Sequence, residues 1–174
     1  MTKEKKVVID ENGKVQFDFS EALDVFEPHE LANMYSEYLS DADFVIEDEN
    51  QLICMEYKNA KVEGAAHPEV FQKKLKEEKF WKKIAKKYYG TLFLVWACGR
   101  NLEDKPIKYI LLMETSPGLD EVLKRKLALK LHSQLPFKYN ECDEIKRSVL
   151  NEFRIMNLEQ WDNEYPQYPV NYLN

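Results

Sequence analysis

The sequence has few histidines and cysteines, and it lacks the short motifs of several large enzyme classes. Only three of each residue occur among 174, and neither set has the spacing of a zinc site or of a Cys-x-x-Cys redox pair. No Gly-rich phosphate loop, Gly-x-Ser-x-Gly elbow or His-Glu-x-x-His motif is present. Zinc fingers, thioredoxin-like proteins and the enzymes that depend on these three motifs are therefore not supported.

Long apolar segments are absent too. The longest apolar run, Thr91 to Cys98, has the length of a buried strand and not of a membrane span. The first residues, Met1 to Lys6, are not followed by the apolar segment of a signal peptide. An odd number of widely spaced cysteines favours reduced, buried thiols. We therefore expect a cytoplasmic protein without membrane contact, in which residues 1–174 form one domain.

Positive charge is scarce overall but locally concentrated. The formal net charge of −6 argues against a general nucleic-acid coat protein. The segment from Phe71 to Gly90, in contrast, contains eight lysines and two glutamates. This segment could contact phosphates or form a solvated helix face, and both interpretations stay open. The candidate nucleic-acid contacts are Lys79, Lys82, Lys83 and Lys86.

Periodicity and turn residues predict alternating strands and helices. The predicted strands are Val7–Ile9, Val15–Phe19, Phe44–Ile46, Leu52–Met55, Thr91–Cys98, Ile107–Glu114 and Phe153–Leu158. The predicted helices are Ser20–Phe26, Pro28–Leu39, Glu69–Tyr88, Ser116–His132 and Asp143–Asn151, followed by a packed extended tail from Trp161. This order indicates an α/β sandwich with a mixed central β-sheet flanked by helices.

Three predictions concern how that sheet is built. Gly90 is expected to end the long helix as its C-cap residue. Thr91–Cys98 would then be a buried strand parallel to the strand that begins at Leu52, because a long helix connects them. Lys108 favours an edge position for the strand Ile107–Glu114.

The segment from Asp41 to Lys58 has the pattern of a β-hairpin. Two apolar runs flank the polar turn Asp48–Gln51. If Glu49 and Asn50 are the loop residues, paired residues have numbers that sum to 99, so Asp43 lies opposite Glu56. Lys58 lies two residues beyond Glu56 and points to the same face.

Both faces of this hairpin are apolar, which is typical of a sheet covered on both sides. One face is predicted to carry Ala42, Phe44, Ile46, Ile53, Met55 and Tyr57. The other face is predicted to carry Val45, Leu52 and Cys54. Charged groups at the end of such a buried strand are costly unless they are paired or bound to something.

Two carboxylates and one ammonium at one end of a hairpin suit a divalent cation site, with the lysine handling charge on a phosphate or a water. Glu-x-Lys alone carries no information, since it recurs at Glu4, Glu77, Glu103 and Glu144. Only Glu56–Lys58 follows an apolar strand and has an aspartate in hairpin register. The alternative is a structural Glu–Lys pair at a sheet edge.

Asp43-Phe-Val-Ile, a turn and Leu52-Ile-Cys-Met-Glu-Tyr-Lys58 together resemble the core of the PD-(D/E)XK nuclease superfamily. Restriction endonucleases and Holliday-junction resolvases belong to that superfamily. The resemblance covers Asp43 to about Gly99, and residue 42 is Ala where the motif's name implies Pro. It implies that Asp43 and Glu56 hold Mg²⁺ or Mn²⁺ and that Lys58 assists the attacking water.

The resemblance has further implications for the first third of the chain. The family usually places a strand between its first helix and the aspartate strand, whereas here a helical pattern runs almost directly into Asp43. A first-helix glutamate of the family often approaches the metal. Glu30 or Glu37 could do so, and solvent exposure is the other interpretation of each.

The expected protein is therefore a restriction-endonuclease-like α/β sandwich and a metal-dependent nuclease that hydrolyses phosphodiester bonds, with DNA as the expected substrate. Asp43, Glu56 and Lys58 are its expected catalytic residues. The alternative is a catalytically inactive nuclease-like domain that binds nucleic acid or a protein partner. A homodimer is left open.

Overall fold

The computed structural model describes residues 6–61 and 68–173, which form two β-sheets with helices packed against them. The strands are β1 (Val7–Ile9), β2 (Val15–Asp18), β3 (Asp24–Phe26), β4 (Phe44–Glu47), β5 (Leu52–Asn59), β6 (Ile107–Glu114), β7 (Glu152–Met156) and β8 (Val170–Tyr172). The helices are α1 (His29–Asn33), α2 (Pro68–Lys74), α3 (Glu78–Ala97), α4 (Glu121–His132) and α5 (Leu158–Glu164), and a 3₁₀ helix spans Pro136–Glu141. No helix within the described residues is long and apolar enough to cross a membrane.

The larger sheet is mixed, with the strand order β3-β4-β5-β6-β7. Its first three strands are antiparallel neighbours, whereas β5, β6 and β7 are parallel to one another. The segment between β5 and β6 contains α3, as a crossover between parallel strands requires. The predicted α/β class with a mixed central sheet is confirmed.

The β4–β5 hairpin has the predicted register, since Phe44 pairs with Met55 and Val45 with Cys54. Apolar clusters cover both faces of the sheet, as predicted. One face packs against α3 and α4, and the other packs against α5 and the smaller sheet, whose order is β1-β2-β8. The hairpin therefore lies in the middle of the core.

Ala42 departs from the predicted pleat. It packs with the α3 side of the sheet and not with Phe44 on the opposite side. The reason is local: Ala42 precedes β4, and its N–H donates a hydrogen bond to Oγ1 of Thr91 at 2.7 Å instead of joining the ladder. The residue before the hairpin is thus packed against α3.

The predicted strand Thr91–Cys98 is wrong, because this segment forms the second half of α3. The buried positions of the helix recur at spacings of three and four residues from Trp81 through Tyr88 to Val95. Gly90 is therefore not a C-cap but a buried position inside the helix, where a Cβ atom would overlap the carbonyl oxygen of Ser40. Strand β6 takes the predicted place as the parallel neighbour of β5.

The predicted edge position of Ile107–Glu114 is wrong as well. Strand β6 lies between β5 and β7. Lys108 is accommodated there because its register partner on β7 is Glu152, and the two side chains form an ion pair at 3.2 Å. A cross-strand partner of opposite charge removes the cost that the sequence alone suggested.

The first third of the chain contains less helix than predicted. The predicted helix Ser20–Phe26 is wrong, since its second half is strand β3, which pairs antiparallel with β4. The predicted helix Pro28–Leu39 is helical only in α1 and continues as turns. Its large apolar side chains, those of Leu31, Met34, Tyr35 and Tyr38, are all exposed.

Helix boundaries elsewhere also differ from prediction. The predicted helix Glu69–Tyr88 is interrupted between α2 and α3, where Nε1 of Trp81 donates a hydrogen bond to the carbonyl oxygen of Leu75. The predicted helix Ser116–His132 begins later than predicted, because α4 is capped by Asp120, whose carboxylate accepts a hydrogen bond from the N–H of Leu123. The predicted loop 59–67 lies largely outside the described residues.

The C-terminal quarter is partly as predicted. The predicted strand from Phe153 is confirmed as β7, and the predicted helix Asp143–Asn151 is wrong, since this segment has no regular structure. The tail is packed, but as α5 and β8 with Trp161 buried, and not as one extended segment. Among the cysteines only Cys54 is buried, and burial raises its pKa to about 12.

Candidate functional site

A cavity of about 230 Å³ opens where β4 begins and β5 ends. The β1–β2 turn, the ends of the segment between β3 and β4, and one residue of α3 surround it. The lining residues with acidic or basic side chains are Asp10, Glu11, Glu27, His29, Asp41, Asp43, Lys58 and Lys87. Asp10 has a structural role, since its carboxylate accepts hydrogen bonds from the N–H groups of Lys14 and Val15.

Asp43 lies directly before β4 and is held by the hairpin. Its Oδ2 accepts a hydrogen bond from the backbone N–H of Tyr57 at 2.7 Å. Burial, and after it the charge of Glu56, raises the pKa of Asp43 to about 6, and the lysines beside it oppose this shift only in part. Asp43 is therefore a carboxylate that the fold holds at a cost in free energy, as is common at functional sites.

Glu56, in β5, is buried without any exposed surface, and two ammonium groups neutralise it. Its Oε1 lies 2.5 Å from Nζ of Lys58 and 2.9 Å from Nζ of Lys87. Its Oε2 accepts a hydrogen bond from Nζ of Lys87 at 3.0 Å. Burial lowers the pKa of Lys58, but the Glu56 carboxylate outweighs this effect and the pKa is raised above its usual value.

The three predicted site residues, Asp43, Glu56 and Lys58, therefore lie together as the hairpin register requires. Asp43 and Lys58 line the cavity, and Glu56 lies behind the two lysines. Lys58 is about one-third exposed, so its ammonium reaches water while its carbon stem remains packed.

Lys87 is the residue that the sequence did not single out. It lies in the lysine-rich segment, in the part of α3 that was predicted to be helical, and its contact with Glu56 is a tertiary one. Thr91 locks this arrangement: its hydroxyl donates to the carbonyl oxygen of Lys87 at 2.9 Å and accepts from the N–H of Ala42. The helical spacing of Lys87 and Thr91, four residues apart, is the signal that could have identified Lys87.

The accessory glutamates lie elsewhere. Glu30 and Glu37 are both exposed, and neither lines the cavity. Glu27 and Asp41 take the positions at its wall. The four lysines proposed for nucleic-acid contacts, Lys79, Lys82, Lys83 and Lys86, are exposed on α3 outside the cavity, and Lys82 forms an ion pair with Glu78.

The donor set of this site fits a hard divalent cation. Mg²⁺ is usually bound through one or two carboxylates and keeps several waters, and Asp43 and Glu56 could provide these carboxylates. Within the described residues no group of three or more His, Cys, Asp or Glu side chains is arranged to hold a metal ion. Binding between Asp43 and Glu56 would require the ammonium groups of Lys58 and Lys87 to withdraw from Glu56.

Comparisons with known proteins identify no relative. No family model, no curated protein and no solved structure matches this chain. The case for a function therefore depends on the site itself.

Proposed function

We propose that this protein is a Mg²⁺- or Mn²⁺-dependent nuclease that hydrolyses phosphodiester bonds, with DNA as its substrate, on a restriction-endonuclease-like fold. The observation that carries the proposal is the pairing of Asp43 with the end of β5. It brings two carboxylates and two lysines together beside an open cavity. Such a concentration of buried charge is expensive unless it serves chemistry or binding.

Each side chain has a role in this proposal. Asp43 and Glu56 would hold the cation, which when bound polarises the phosphate and lowers the pKa of a coordinated water. Lys58, which is partly exposed and reaches the cavity, would as an ammonium group orient the attacking water or stabilise charge on the phosphate. Lys87 enters the cavity wall from α3 and would contact the phosphate from the opposite side.

The two lysines also explain how the site exists without a cation. A buried Glu56 carboxylate without a partner would be strongly destabilising. In the structure Lys58 and Lys87 supply the positive charge that a divalent cation would otherwise supply. A cation held by Asp43 and Glu56 would displace the two ammonium groups from Glu56, which would leave them able to contact the substrate.

The β3 strand bears on the fold part of the proposal. It pairs with β4 but precedes α1 in the chain, whereas the family usually places a strand between its first helix and the aspartate strand. The sequence departs from the family in this order of elements and in having Ala42 where the motif's name implies Pro.

A second function has a specific observation in its favour. Glu56 is completely buried under two ammonium groups, which suits a nuclease-like domain that has lost catalysis and binds nucleic acid or a protein partner. In that case the Glu56–Lys58–Lys87 cluster is structural and no cation enters.

A cleavage assay separates the two functions. Plasmid, linear duplex, branched and single-stranded DNA are incubated with the protein and Mg²⁺ or Mn²⁺, with EDTA as the control. We expect metal-dependent cleavage of at least one substrate. The variants Asp43→Asn and Lys58→Ala should lose activity by at least about a hundredfold, whereas Lys138→Ala, an exposed lysine away from the cavity, should retain it.

The opposite result is equally clear. If no substrate is cleaved under any metal condition while the protein is folded, the catalytic proposal is wrong and the binding domain remains. If cleavage occurs but survives Asp43→Asn, the active site lies elsewhere.

A further inference from the structure

The segment between β3 and β4 carries an apolar surface that the core does not use. Met34, Tyr35 and Tyr38 lie three, four and seven residues after Leu31, on α1 and the turns that follow it. Met34, Tyr35 and Tyr38 are 70%, 63% and 72% exposed. Such a cluster of large apolar side chains in water marks an interaction surface.

This aromatic surface adjoins the candidate site. Both ends of the segment lie in the cavity wall, at His29 and Asp41, whose side chains contact each other at 3.3 Å. Tyr35 and Tyr38 lie on the chain between these two wall residues and are exposed. A long ligand that leaves the cavity along this segment would meet the two tyrosines.

A stripe of lysines approaches the same place along α3. Ser40 packs on α3 at Gly90, and Lys86, Lys83 and Lys79 lie four, seven and eleven residues before Gly90. These spacings put them on the face of the helix that meets the segment. All three are exposed. Glu30 and Glu37 lie on the segment itself, so phosphates would run on the α3 side of the tyrosines.

We infer that this surface binds a single strand of nucleic acid, whose bases stack on Tyr35 and Tyr38 while its backbone follows Lys79, Lys83 and Lys86 toward the cavity. The inference rests on the proposed nuclease function and names its substrate form. Exposed aromatic faces beside a basic stripe are the combination that binds unpaired bases. Paired bases within a duplex do not offer their faces to a protein.

The size of the cavity agrees with this substrate. At about 230 Å³ it is smaller than the roughly 300–1,000 Å³ of pockets that hold drug-sized ligands. It would admit one phosphodiester group with part of its nucleotide, drawn from a flexible strand.

Binding is tested first without catalysis. Fluorescence anisotropy in EDTA is measured with a labelled single-stranded oligodeoxynucleotide, with RNA of the same sequence and with the corresponding duplex. We expect the wild type to prefer a single strand. Tyr35→Ala/Tyr38→Ala should weaken that binding by about tenfold or more, whereas Tyr139→Ala, an exposed tyrosine on the 3₁₀ helix, should not.

The lysine stripe has its own readout. Lys83→Gln/Lys86→Gln should weaken binding and make it less dependent on salt, because fewer phosphates are neutralised. Lys138→Gln serves as the matched control. Comparison of the DNA and RNA strands shows which sugar the surface accepts.

Three results would overturn the inference. Duplex could bind as tightly as a single strand, with no effect of the tyrosine variant, or no nucleic acid could bind at all. Alternatively, the wild type could be a dimer in light scattering that Tyr35→Ala/Tyr38→Ala converts to a monomer, which would make the surface a subunit interface. None of these results by itself rejects the nuclease, since duplex cleavage lost in Asp43→Asn would still support it.

Discussion

Asp43 and Glu56 are neighbouring carboxylates with unequal surroundings. Glu56 is fully buried and has two ammonium groups in contact with its oxygens. Asp43 has one backbone N–H and a position in the cavity wall, and burial with the nearby Glu56 charge raises its pKa to about 6. The negative charge of Asp43 is therefore less completely balanced than that of Glu56, and a bound cation would stabilise Asp43 more.

This asymmetry predicts how stability depends on pH in the absence of metal. Because the folded-state pKa of Asp43 is above its unfolded value, its contribution to stability is greatest below about pH 4 and is lost as the pH rises through about 6. Asp43→Asn should remove this loss and stabilise the protein at neutral pH, by on the order of 3 kcal/mol at most. Urea unfolding of both proteins across this range measures the difference.

Glu37→Gln, at an exposed position, should leave the wild-type pH curve unchanged. Identical curves for wild type and Asp43→Asn would mean that Asp43 ionises normally and that the fold does not hold it at a cost.

The lysines predict a separation between activity and stability. Lys58→Ala should abolish metal-dependent cleavage and change the melting temperature little, because Lys87 still contacts both oxygens of Glu56. Lys58→Ala/Lys87→Ala should lose on the order of 3 kcal/mol, since it leaves a buried carboxylate without a partner. Thermal unfolding and the plasmid assay on the same samples measure both effects.

A structural cluster predicts a different pattern. The single variant would then melt several degrees lower, and there would be no metal-dependent activity to lose. Lys138→Ala again shows what removal of an exposed lysine does alone.

At the scale of elements, α3 builds the site together with the hairpin. It places Lys87 against Glu56 and Thr91 against Ala42, immediately before Asp43. The close approach of Ser40 to the helix depends on the missing side chain at Gly90. A change at Gly90 is therefore expected to reach the site through the chain from Ser40 to Asp43.

Gly90→Ala tests this packing against helix propensity. Alanine is better than glycine in a helix interior by about 1 kcal/mol, so propensity alone predicts stabilisation. Its Cβ would overlap the backbone of Ser40, and we expect a net loss of about 1–3 kcal/mol from overpacking. Gly118→Ala, with open space around it, should be nearly neutral. A more stable Gly90→Ala protein in urea would show that Ser40 does not contact the helix so closely.

The same elements show what the sequence could predict. The hairpin register followed from two apolar runs and one polar turn, so Asp43, Glu56 and Lys58 could be placed correctly. The helical structure of Thr91–Cys98 could not be predicted, because a short apolar run suits a buried strand and a buried helix equally. In addition, a glycine at position 90 is typical of a residue that ends a helix. The contact with Ser40 that explains Gly90 is a tertiary one, and so is the contact of Lys87 with Glu56, which the sequence did not predict.

The prediction for the N-terminal third of the chain was wrong for a related reason. The spacing of Leu31, Met34, Tyr35 and Tyr38 predicted one apolar side, but the sequence does not say whether such a side meets the core or the solvent. Lys108 is a similar case, since its partner Glu152 lies on a strand far along the chain.

For the whole molecule, the mixed sheet separates two apolar clusters, and the cavity lies at the end of the sheet where β4 begins and β5 ends. The clusters on its two faces hold β4 and β5 rigidly between α3 and the smaller sheet. The protein as a whole is acidic, and the wall of the cavity carries both signs of charge: the lysines Lys58 and Lys87 lie beside five acidic side chains, those of Asp10, Glu11, Glu27, Asp41 and Asp43.

The central claim is that a divalent cation binds between Asp43 and Glu56. Anomalous diffraction from crystals soaked in Mn²⁺ tests it most directly, with Asp43→Asn crystals as the matched control. We predict a Mn²⁺ peak that contacts oxygens of both carboxylates, with Lys58 and Lys87 withdrawn from Glu56, and no peak in the variant. An absence of manganese there, with both lysines still paired to Glu56, would contradict the claim.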